Sequence, residues 1–176
     1  MTSDRPNSGT HFGTSAGASI PANHRPAIDA RALHAALLGG LVGGAIDLFY
    51  AFIASGLNGV SPQRVLHVIA SGWLGKAAYQ GAWASAALGL VSHFVIVWVF
   101  ALAYVVATRR LPGLNARPIL LGAVYGAIIY GVMNYIVVPL SATNFSAPSG
   151  TYLVLGLLVH IFGVGVPIAL FARRAS

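Results

Sequence analysis

Four long stretches of the chain are free or nearly free of charge: residues 33–55, 83–108, 118–140 and 151–172. Each runs 22 to 26 residues, and about 20 residues cross the hydrocarbon of a bilayer as a helix. Backbone groups in lipid must satisfy one another, so long apolar runs predict helices rather than strands. The alternating pattern of an outer-membrane barrel is missing. The pattern therefore predicts an all-α polytopic membrane protein, a four-transmembrane-helix bundle. Residues 56–82 form the long connection. There Ser61-Pro62 offers an N-cap followed by Pro at the first helical position. Val65, Leu66, Ile69 and Trp73 make one stripe, with Arg64, His67 and Ser71 on the other face. The expectation is one short interfacial helix, lying on the outer surface or tucked against the bundle, with Trp73, Lys76, Tyr79 and Trp83 in the headgroup layer. The connection 141–150 is polar and turn-rich. Residues 1–30 lack apolar periodicity and read as a disordered tail, which leaves residues 31–176 as the membrane domain.

Composition agrees with the pattern and removes other classes. Of 176 residues, 57% are hydrophobic and 7% charged, against about 25% charged in a soluble domain; the mean hydropathy is +0.78. The net charge of +7 rests on ten Lys/Arg against three Asp/Glu. These cations are scattered between apolar blocks, so no nucleic-acid surface is expected and the lipid bilayer is the partner. Cysteine is absent, which excludes disulfides, CxxC redox chemistry and thiolate metal sites. Charge also orients the chain. Arg5, Arg25, Arg31, Arg109, Arg110, Arg117, Arg173 and Arg174 fall on one side of the four stretches, and Arg64 and Lys76 on the other. The positive-inside rule then expects both termini in the cytoplasm.

Close helix packing in lipid needs small residues. Gly39, Gly40, Gly43 and Gly44 give two overlapping small-xxx-small pairs, and Gly122 and Gly126 give another. Intrachain packing is the leading reading; a dimer through Gly39–Gly44 is the other. Pro139 and Pro167 lie near span ends, where a kink costs little. The informative polar residues are Asp47, His93, Asn134 and His160, one in each stretch, with Tyr130 one turn from Asn134. Counted from the same membrane side, the four lie at depths of roughly 21, 22, 24 and 18 Å, a single layer. Asp47 is the one charged residue inside a stretch. A charge at mid-membrane is expensive, so Asp47 requires a proton or a partner, and His93 and His160 are the candidates.

The chemistry open to this cluster is narrow. Ser92 and His93 are adjacent and diverge by about 100° on a helix, so they make no nucleophile–base pair. No oxyanion device, phosphate loop or carboxylate pair is visible, and no enzyme is expected. A structural or accessory membrane subunit is the leading expectation. One alternative is a small oligomeric proton- or cation-handling transporter, since Asp/His groups at mid-membrane serve proton relays. Another is a haem- or divalent-metal-binding protein using His93 and His160. No cofactor is the leading expectation; the reading leaves a homo-oligomer or larger membrane complex open, and the transporter alternative calls for the former.

The second half also carries a resemblance. Ser92-His93 followed by Phe100-Ala101 and Tyr104, then Leu121-Gly122-Ala123, Pro139, His160 and Arg173-Arg174 resemble the YagU-like bacterial inner-membrane proteins, a domain of unknown function. The resemblance covers roughly residues 85–174. It implies a multi-pass protein of the bacterial inner (plasma) membrane, with His93 and His160 at the family's histidine positions. It implies no substrate, cofactor or reaction.

Overall fold

The computed structural model describes residues 28–144, 146 and 148–175 together with Met1. The expected tail, including His11 and His24, lies almost wholly outside them. Among the described residues five long helices make the fold, with 3-10 turns at Gly75–Gln80 and Pro112–Asn115 between them: α1 (Ala30–Gly56), α2 (Pro62–Leu74), α3 (Ala82–Arg110), α4 (Pro118–Leu140) and α5 (Gly150–Arg174). All but α2 are long and apolar enough to cross a membrane. Among the described residues there is no strand. The chain is a multi-pass, all-α membrane protein. Helix ends extend one to three residues beyond most predicted stretches, because capping and basic residues continue the backbone turn after the apolar run stops. At one such end Asp29 caps α1 by accepting from the Ala32 N–H at 2.8 Å.

Glycines set the packing order α3–α1–α5–α4. A Cβ on Gly40 would run into the Trp98 ring, and one on Gly44 would press on Phe94, so this glycine row receives α3. Gly39 and Gly43 instead face Ile168 and Val164 of α5. Both small-xxx-small pairs are therefore occupied by neighbours within the chain. Gly122 and Gly126 admit the backbone of α5 at Gly165 and His160. Where these seams meet near the termini, Ala101, Tyr104, Val105, Ile129, Val164 and Ile168 close a dry core. Long side chains bridge α3 and α4: the Tyr125 hydroxyl donates to the Phe100 carbonyl at 2.8 Å, and the Tyr104 and Tyr125 rings lie 4.8 Å apart.

Two features add to the sequence expectation. First, α2 is tucked against the bundle, the second of the two placements expected, with part of its polar face inward. His67 and Ser71 are buried, while Trp73 is 67% exposed. His67 Nε2–H donates to the Ala82 carbonyl at 2.7 Å, and Ser71 bonds Thr143 at 2.7 Å. The polar side chains find hydrogen-bond partners inside, which makes burial affordable. Gly89 permits this docking, since a Cβ there would collide with the Leu66 carbonyl. Second, α4 and α5 each widen into a π-helical segment, Met133–Val137 and Val159–Gly165. Each segment ends at a Val-Pro pair, Val138-Pro139 and Val166-Pro167. Proline lacks the N–H and clashes with the carbonyl four residues back; a widened turn relieves that clash. Pro139 lies one residue from the end of α4, and the effect of each proline reaches back into the π segment before it.

Candidate functional site

The two π segments carry Asn134 and His160, two of the four intramembrane polar residues. Such widenings recur at functional positions because they re-aim side chains out of the regular helical register. Here they do so beside a cavity of about 510 Å³, and Asp47, His93, Asn134 and His160 all line it. Four helices contribute one polar group each to one chamber. The remaining walls are largely aliphatic and aromatic, including Leu48, Ile96, Val97, Phe100 and Met133. The volume falls in the range typical of small-molecule sites.

Asp47 and His160 make the closest contact within the cluster. Asp47 Oδ1 lies 3.3 Å from His160 Nδ1. The same nitrogen is 3.0 Å from the Gly156 carbonyl. A carbonyl only accepts, so Nδ1 carries the hydrogen and Nε2 is the nitrogen left to take up a proton. Gly126 holds this arrangement close to α4, because its missing side chain gives the His160 backbone its place. The Tyr130 ring supports the imidazole edge-on, with centroids 5.2 Å apart.

His93 reaches α1 but not Asp47: its Nε2–H donates to the Gly44 carbonyl at 2.9 Å. Asn134 donates to the Tyr130 carbonyl at 2.9 Å, within its own helix. Tyr130 stands behind His160 and off the cavity wall, and its buried hydroxyl makes no hydrogen bond among the described residues. Asp47, His93 and the Tyr130 hydroxyl therefore do not meet. Among the described residues no three His, Asp or Glu side chains converge on a point that could hold a metal ion. Two imidazole nitrogens are also committed to backbone carbonyls.

The sequence reading missed the far wall. Arg64, Val65, Val68 and Ile69 of α2 line the cavity, together with Ser55, Val60 and Tyr79. The Arg64 guanidinium lies 3.9 Å from the Tyr79 ring centroid, a cation–π contact. The 64/65/68/69 spacing is a helical stripe, legible in the sequence once α2 is known to face inward. The cavity thus runs from the Asp47–His160 pair to an exposed arginine under α2, and the dry core closes it toward the termini.

Comparison of the chain with protein-family models, with curated proteins and with solved structures finds no match.

Proposed function

We propose that this protein handles protons or a small cation across a membrane, with the Asp47–His160 pair as the site of exchange. The observation that carries the reading is that pair, 3.3 Å apart on the wall of a cavity. Asp47 is the acceptor for the transported charge, and His160 Nε2 is the group that takes up and releases a proton. His93 and Asn134 supply further polar contacts in the chamber. A purely structural cluster would spend its polar groups on bonds between helices. His93 does so, bonding α1 at Gly44, but Asn134 and His160 give their N–H groups to their own helices. That favours the transport reading over the structural or accessory one.

In this reading the cavity is the access path from the α2 side, and the core around Tyr104 and Ile168 is the barrier on the side of the termini. The excess of Lys/Arg at the termini and the resemblance to YagU-like proteins support a bacterial plasma membrane with both termini cytoplasmic. A single 18.2 kDa bundle is small for a carrier, so the working unit is a homo-oligomer. The test is proton and monovalent-cation flux into proteoliposomes. Wild type should exceed empty liposomes, and Asp47→Asn and His160→Gln should return to the empty-liposome rate. Wild-type flux equal to that of empty liposomes would overturn the proposal.

A further inference from the structure

A second concavity, of about 360 Å³, lies at the opposite end of the bundle, in the seam between α1 and α5. Its rim carries Arg31, His34 and Arg174, and its floor is Ala35, Leu38 and Phe171. Neither arginine belongs to an ion pair among the described residues; the nearby carboxylate, Asp29, is taken by Arg109 at 2.7 Å. Arg174 lies over the Phe171 ring, 5.3 Å from its centroid, which turns one cation toward the seam. His34 gives Nδ1–H to the Ala30 carbonyl at 2.9 Å, leaving Nε2 outward. Below this rim the α1 face continues through exposed Leu38, Val42 and Ile46, spaced by four residues and therefore in line down the membrane. On α5 the seam is shallow, since Gly163 faces the Ile46 side chain.

We propose that this groove binds the headgroup of an anionic phospholipid, with the phosphate between Arg31 and Arg174 and an acyl chain along Leu38, Val42 and Ile46. The occupant follows from charge complementarity and from depth. Two guanidiniums with no ion pair among the described residues sit at the helix ends, where headgroups lie, above an apolar track of the kind an acyl chain follows. Basic pockets between spanning helices recognise anionic lipids in this way, with each arginine contributing about a fivefold gain in affinity. The site is remote from the Asp47–His160 pair and does not rest on the transport proposal.

The test is a titration of phosphatidylglycerol into the full chain in neutral detergent, read as an apparent Kd by native mass spectrometry. Phosphatidylcholine and inorganic phosphate serve as comparison ligands. Wild type should prefer phosphatidylglycerol over both, and Arg31→Gln/Arg174→Gln should weaken it roughly 25-fold. Arg110→Gln/Arg117→Gln removes the same charge from exposed positions outside the groove and should leave the Kd within about threefold. Equal weakening in both double variants would overturn the proposal, because the effect would then be net charge alone. So would equal binding of phosphatidylcholine. A lipid-independent dimer that the Arg31/Arg174 variant dissociates would also overturn it, assigning the groove to a second copy of the chain.

Discussion

Two glycines on one helix illustrate how much a single hydrogen can decide. A Cβ on Gly126 would overlap the backbone of His160, whereas one on Gly131 would meet nothing within 4 Å. Gly126→Ala should therefore destabilise the protein by about 1–3 kcal/mol through overpacking. Gly131→Ala should be neutral or stabilising by up to about 1 kcal/mol through helix propensity. Chemical unfolding of the two variants in one detergent checks the contrast. Asp29 gives a second residue-level prediction. Its hydrogen bond from Arg109, then the Ala32 N–H, hold its carboxyl below the ordinary value of 3.8. A lowered folded value means the stabilising contribution is complete above the ordinary value and fades as pH falls through the lowered one. Asp29→Asn should accordingly lower the melting temperature at neutral pH and remove part of its fall on acidification. An unchanged pH profile would contradict the role assigned to the Asp29–Arg109 pair. The positions of Asp47, His93, Asn134 and His160 in one layer were legible in the sequence, because depth follows from counting at a fixed rise per residue. Which groups touch was not. The π segments at Asn134 and His160 rotate side chains out of the register on which counting relies.

At the scale of elements, α2 marks the limit of pattern reading. Its N-cap was legible from Ser61-Pro62, since local chemistry fixes it. Its facing was not, because an apolar stripe settles orientation only where water lies on one side and a dry core on the other. Here α2 has protein on one side and lipid or headgroups on the other, so Ser71 and His67 gain more from partners on the bundle than from the interface. Ser71 to Thr143, and the Ala142 N–H to the Gly72 carbonyl at 2.9 Å, tie α2 to the loop before α5. The docking depends on Gly89, where a side chain would strike the Leu66 carbonyl. Gly89→Leu should lift α2 from α3 and raise the rate of tryptic cleavage after Arg64 at least severalfold. Cleavage at the wild-type rate would show that α2 is held without that contact.

For the molecule as a whole, spans and connections were legible because bilayer thickness sets helix length more strictly than any local propensity does. The lipid environment also explains why glycine rows, rather than large apolar residues, determine which helices are neighbours. Orientation has a direct check in a chain with no cysteine of its own. Cysteine placed at Gly113 should label only from the cytoplasmic side, and cysteine placed at Asn144 only from the opposite side. The reverse pattern would invert the direction of access assigned to the cavity. The most direct measurement of the central claim combines flux and thermal stability for Asp47→Asn in one proteoliposome preparation beside wild type. Asparagine keeps the hydrogen-bonding shape but neither carries charge nor titrates. A proton- or cation-handling site predicts flux reduced to that of empty liposomes with a melting temperature close to wild type. Unchanged flux, with or without a loss of stability, would contradict it and leave Asp47 as a tie between α1 and α5.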